Sequence, residues 1–100
     1  MTKQTTTEEI TQRIQNGEKF SIIDVRESFE VMNGKISGAK HIALGDLASH
    51  LNELDKNEEH VLVCQSGGRS KAACGLLEAN GFKAVNMVGG MNDWKSQLED

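Results

Sequence analysis

Proline is absent from this 100-residue sequence, cysteine occurs twice and tryptophan once. With no proline, Gly, Asn and Asp must mark the turns. Two cysteines are fewer than a disulfide-stapled secreted fold of this length uses, so Cys64 and Cys74 read as thiols in a reducing compartment. No run approaches the ~20 apolar residues that span a bilayer. The opening Met1-Thr2-Lys3-Gln4-Thr5-Thr6-Thr7 leads into no apolar stretch, which argues against a signal peptide. A cytoplasmic location without membrane contact is the expectation. A run of one charge is also missing. The formal net charge is -4, and Lys40-His41 is too short to make the basic patch a nucleic-acid binder needs. His41, His50 and His60 are scattered and read as surface or edge residues. A Cys–His pair needs only proximity in space and stays open. With the cysteines, the histidines form no familiar zinc spacing, so neither a metal nor an organic cofactor is expected.

What is present suits a soluble globular chain: 37% hydrophobic and 26% charged residues. The length predicts one domain over 1–100 with a modest core. No repeat, low-complexity tract or linker interrupts it. Residues through about Thr6 predict a short edge strand. Thr6 and Glu9 have capping-box spacing before a helix whose Ile10 and Ile14 share a face, and Gly17 closes it. Phe20 to Val25 predicts a buried strand, and Glu27 to Met32 a short helical turn. Gly34 and Gly38 mark a loop before a short strand over Lys40 to Ala43. Leu47, Leu51 and Leu54 repeat at helical spacing, with Asp46 placed to cap. Val61 to Cys64 predicts another buried strand, Ser70 to Ala79 a helix, and Ala84 to Val88 a strand. Gly89-Gly90 then opens a last helix with Trp94 and Leu98, a packing pair. Strands alternating with helices predict an α/β layer structure around a mostly parallel sheet, with ligands bound beyond the carboxyl ends of the strands.

Cys64 falls at such an end. A free cysteine is most often a buried, inert residue. Here a strand delivers it to Gln65-Ser66-Gly67-Gly68-Arg69-Ser70 and then to a helix rich in small residues. The thiolate is the nucleophile, and a thiol with an ordinary pKa of ~8.5 is mostly protonated at neutral pH. N–H groups of a curled loop and of a helix N-terminus favour the anion. Gly67 and Gly68 allow the curl, Arg69 offers a planar fork suited to a sulfonate or phosphate, and Ser70 can cap the helix or donate to the sulfur. Cys74 reads as filler of a helix face beside Ala73 and Leu77, with a resolving thiol as the alternative.

The segment Cys64-Gln65-Ser66-Gly67-Gly68-Arg69-Ser70 resembles the active-site loop of the rhodanese-like sulfurtransferases. The resemblance covers nearly the whole chain: Asp24-Val25-Arg26, the Gly34 to Ala39 stretch, and Gly81-Phe82, Gly89-Gly90-Met91 and Trp94 follow the family pattern in order. Lys35 stands where the family often has His, and Ala43 where it often has Pro; neither is the nucleophile. The resemblance implies a rhodanese-like three-layer fold, a mostly parallel central sheet flanked by helices. It implies that Cys64 attacks the outer sulfur of a donor such as thiosulfate, releases sulfite and holds a persulfide for a thiol or cyanide acceptor. The amides from Gln65 to Ser70 would stabilise the anionic sulfur and Arg69 would hold the sulfonate. Asp24 and Arg26 read as a structural pair pinning the strand end, or as a positive contribution to the pocket.

Other readings remain beside it. A sulfur-relay protein would use the same persulfide with a macromolecular acceptor. Some rhodanese-like domains are non-catalytic binding modules, but these have lost the cysteine. Cysteine phosphatases and arsenate reductases share the cysteine, cradle and arginine. The related phosphatases have a longer spacing than Gln65-Ser66-Gly67-Gly68, and the tighter loop here suits one sulfur.

Overall fold

A computed structural model of the chain describes residues 2–99. Its centre is a five-stranded sheet of β1 (Lys3–Thr5), β2 (Ser21–Asp24), β3 (Lys40–His41), β4 (Glu59–Val63) and β5 (Lys83–Met87). The spatial order is β1-β5-β4-β2-β3 and every neighbouring pair is parallel. β4 is therefore central, with β2 and β5 beside it. The apolar runs expected of strands covered on both faces are there: Ile22, Ile23, Val61, Leu62 and Val63 are all buried.

Alternation along the strands divides the core into two layers. Ile23, Leu62, Cys64 and Ala84 face α3 (Gly68–Ala79) and a 3-10 stretch at Leu44–Glu53, meeting Ala73, Cys74, Leu77 and Leu47. Ile22, Val61, Val63, Val85 and Met87 face the other way, onto Ile10 of α1 (Thr7–Gln15) and onto Ile36, Met91 and Trp94. This is the three-layer α/β arrangement, with the sheet wholly rather than mostly parallel.

Local signals held at several element ends. Thr6 caps α1 through a complete capping box with Glu9. α2 (Ser28–Val31) is the short turn expected after β2. Three expectations are corrected. The Leu44–Glu53 stretch begins before Asp46, which does not cap it. The Leu44 N–H is bonded to Val25 O, so a tertiary contact sets the start of the turn. No helix reaches Leu98: a 3-10 turn at Gly90–Asp93 is followed by irregular chain, because Lys35 and Glu99 exchange two backbone hydrogen bonds and draw that segment out. His60 is buried rather than at the surface; its Nδ1 lies 2.6 Å from Ser21 Oγ and its Nε2 2.8 Å from Asp55 O, so both ring nitrogens have a partner. It is the second residue of β4, at the opposite end from Cys64.

Candidate active site

Cys64 directly follows β4 and has no exposed surface. Residues 65–67 curl back over it. Gly67 closes the curl at φ 109, a left-handed conformation that disfavours any side chain, and serves as the N-cap of α3. Gly68 lies outside that region as the first residue of α3. One left-handed residue is enough to reverse the chain, so the expected freedom is used at Gly67 alone.

The curl places donors around the sulfur. The Gly67 N–H donates to Cys64 Sγ at 2.9 Å. Ser70 Oγ lies 3.3 Å from Sγ. Burial pushes the Cys64 thiol up, but the Ser70 hydroxyl and the N–H groups of Ser70, Gly67 and Ser66 outweigh it and hold the thiol below its ordinary range. Ser70 does not cap α3, being its third residue. Its hydroxyl reaches Gly67 O at 3.1 Å and Asn86 Oδ1 at 2.5 Å. A hydroxyl has one proton, so Ser70 either accepts from the thiol while donating to Asn86 or turns its proton to the thiolate.

The loop is held from outside on two sides. Met91 N–H donates to Cys64 O at 2.8 Å and Asn92 N–H to Gln65 O at 2.9 Å. The Gly90–Asp93 turn can come this close because Gly90, at φ 59, has no Cβ; one would stand 2.4 Å from Cys64 O. The Gln65 side chain points out of the cradle, between Arg26 Nη1 at 3.1 Å and Asn92 Oδ1 at 2.8 Å. On the other side, Arg69 is not free. Its Nη1 and Nη2 grip Glu30 Oε1 and Oε2 at 2.5 and 2.7 Å. Hydrogen bonding to Arg69 holds the Glu30 carboxyl at about 2. Glu30 lines a cleft of about 450 Å³ with Arg26, Phe29, Gln65 and Trp94 beside the loop.

Asp24 and Arg26 form a buried ion pair at 2.8 Å. Arg26 also donates to Gly34 O and Gln65 Oε1, so nearly all of its N–H groups are taken by the protein. It braces the strand end against the neighbouring loops and also lines the cleft. His41 Nε2 lies 2.7 Å from Arg26 O, and His50 pairs with exposed Glu53; neither bonds to Cys64.

Glu30, Asn86, Gly90 and Asn92 were not legible as site residues. Asn86 left one signal: a polar residue inside the apolar run Ala84-Val85-Asn86-Met87, which in a buried strand must find a polar partner.

Cys74 is buried and free, as is Cys64. Burial foremost, then the charges of Glu78 and Cys64, pushes its thiol up to about 12. Thiolate reactivity rises as pH passes through the pKa. Iodoacetamide near neutral pH should therefore label Cys64 and spare Cys74, with the Cys64 rate profile reaching its midpoint below that of a free thiol. Peptide mapping across pH checks this; equal labelling of both would contradict the assigned environments.

The model of the rhodanese-like domain matches residues 6–97. "Putative sulfurtransferase YtwF" of Bacillus subtilis is 41% identical over 97 residues, covering 97% of this chain and 94% of that protein. "Putative sulfur carrier protein YrkF", also from Bacillus subtilis, is 40% identical over 89 residues, covering 88% of this chain and 48% of the relative. The crystal structure of a rhodanese-like domain protein from Staphylococcus aureus superposes with a TM-score of 0.92 at 39% identity, covering 97% of this chain and 96% of that one. The chain belongs to the rhodanese-like domain family.

Proposed function

We propose that this protein is a sulfurtransferase that carries sulfane sulfur as a persulfide on Cys64, within one domain over the whole chain. The observation that carries the reading is the sulfur's setting at the end of β4, where Gly67 N–H meets Sγ at 2.9 Å and the thiol is held below its ordinary range. The Cys64 thiolate attacks the outer sulfur of the donor. With thiosulfate, the new Cys64–S bond forms as the S–S bond breaks, and sulfite leaves with the electron pair. The terminal persulfide sulfur keeps the negative charge. A thiolate or cyanide then takes that sulfur and returns Cys64 to its thiolate, so one difficult transfer becomes two. No separate base is required, since the cradle already favours the ionised form. Because Sγ has no exposed surface, a donor reaches it only as the loop side chains part.

Gln65, Ser66, Gly67, Gly68, Arg69 and Ser70 form the substrate-binding loop in this reading. Ser66, Gly67 and Ser70 supply the donors to sulfur, Gln65 braces the loop, and Arg69 supplies the positive charge at its rim. Asp24 and Arg26 hold the floor. A protein acceptor fits the same chemistry, and a relative named as a sulfur carrier favours a relay as the second reading. No described helix is long and apolar enough to cross a membrane, and the low count of cysteines supports a cytoplasmic setting.

The direct test is intact-protein mass spectrometry after incubation with thiosulfate, followed by peptide mapping. The expected result is one added sulfur atom on Cys64, removed by cyanide or a thiol. Absence of an adduct with thiosulfate and with alkyl persulfides would sink the reading. Arg69→Ala should lower kcat/KM for thiosulfate by about tenfold or more, since it removes a charge-assisted fork and leaves Glu30 unpaired beside the pocket. Unchanged thiosulfate kinetics would take Arg69 out of donor binding.

A further inference from the structure

The positive group best suited to an anionic donor is already occupied by an internal anion. Arg69 holds Glu30 in a two-point contact at 2.5 and 2.7 Å. This is the geometry in which a guanidinium would hold a sulfonate. The carboxylate is not a passing surface contact. Its Oε1 also accepts the Glu27 N–H at 3.0 Å, which ties it to the first turn of α2. Only 17% of the Glu30 side chain is exposed. The other guanidinium near the loop, Arg26, is committed to Asp24, Gly34 and Gln65. An incoming oxyanion therefore meets no unengaged arginine at this pocket, and must displace Glu30 to gain one.

We infer that Glu30 is a specificity-determining residue, an internal competitor for Arg69 that biases the enzyme against oxyanion donors such as thiosulfate and toward alkyl persulfides. This rests on the sulfurtransferase reading of Cys64. An alkyl persulfide delivers the same sulfur without an oxyanion head. The Cys64 thiolate bonds to the outer sulfur of R–S–SH, the S–S bond breaks, and the alkyl thiolate R–S⁻ leaves with the electron pair. The proton stays on the transferred sulfur until it exchanges with water. Nothing in that step calls on Arg69, so the Glu30 contact can persist through it. Since Glu30 stays ionised down to about pH 2, protonation does not relieve the competition under ordinary conditions.

The test compares Glu30→Gln with the parent on two donors, thiosulfate and 2-aminoethyl persulfide, reading kcat/KM for each by cyanide acceptance. Glutamine keeps an oxygen for the Glu27 N–H, so α2 should survive; circular dichroism checks that. The expected result is a rise of about tenfold in the ratio of thiosulfate to persulfide efficiency, carried mainly by a lower KM for thiosulfate. Glu27→Gln removes a charge from the same segment without breaking the Arg69 contact, and should shift the ratio far less. An unchanged ratio in Glu30→Gln would overturn the inference. An equal gain with both donors would also overturn it, by making the contact a gate. So would an equal shift in Glu27→Gln, which would reduce the effect to a general field. If the parent protein gains no sulfur on Cys64 from either donor, the sulfurtransferase reading falls and this inference with it.

Discussion

Cys64→Ser is expected to abolish sulfur transfer, by at least about 10³-fold, while the protein still folds. A hydroxyl at this position is poorly ionised and poorly matched to sulfur, so no persulfide can form. The loop has little reason to collapse. The serine oxygen can still accept the Gly67 N–H and meet Ser70, so the new polar atom is not left unpaired in a buried site. The stability change should stay near about 1 kcal/mol. Cyanolysis kinetics and a thermal melt measured on the same sample separate the two effects. Turnover surviving in a folded Cys64→Ser protein would remove Cys64 from the mechanism.

The largest stability effect should come from Asp24→Ala. Asp24 is fully buried, and Arg26 is only 3% exposed. The carboxylate receives Arg26 Nε, Nη2 and the Arg26 backbone N–H. Removing it strands a guanidinium where water cannot reach. Breaking a buried pair in this one-sided way costs about 3–5 kcal/mol. That is a large fraction of the about 5–15 kcal/mol that holds a typical domain folded. Urea denaturation should show a correspondingly lower midpoint at a similar slope. A loss below about 1 kcal/mol would mean that Arg26 finds solvent or another partner and is not the brace described above. Arg26→Ala should cost activity as well, since Gln65 and Gly34 lose their shared anchor.

The shape of the Cys64 loop was readable because its determinants are contiguous. The strand, the turn glycine and the helix start lie within Val61 to Ser70, and local rules of backbone geometry suffice to assemble them. Thr6 and Glu9 were readable for the same reason. Glu30 was not, since its partner Arg69 is 39 residues away and the Ser28–Val31 turn is too short to show periodicity. The Leu44–Glu53 stretch misled because leucines three and four apart suit either helix type, while the contact from Leu44 to Val25 is invisible in sequence. The last segment misled because two backbone bonds between Lys35 and Glu99 override local preference. His60 has the same lesson: its ring meets Ser21, 39 residues away, and lies near the ring of Phe82.

The strand order has a bearing on how the protein is made. β1 pairs only with β5, placing Lys3 beside Val85, and the Cys64 carbonyl is tied down by Met91. A ribosome therefore releases the N-terminal strand long before its sheet neighbour exists. Such distant pairings delay closure of the fold. Until the Gly90–Asp93 turn docks, the Cys64 and Gln65 carbonyls lack the two N–H partners that it supplies, and the loop relies on Arg26 and Glu30 alone for its outer anchors. The complete set of contacts around Cys64 therefore forms only once the C-terminal part of the chain is in place.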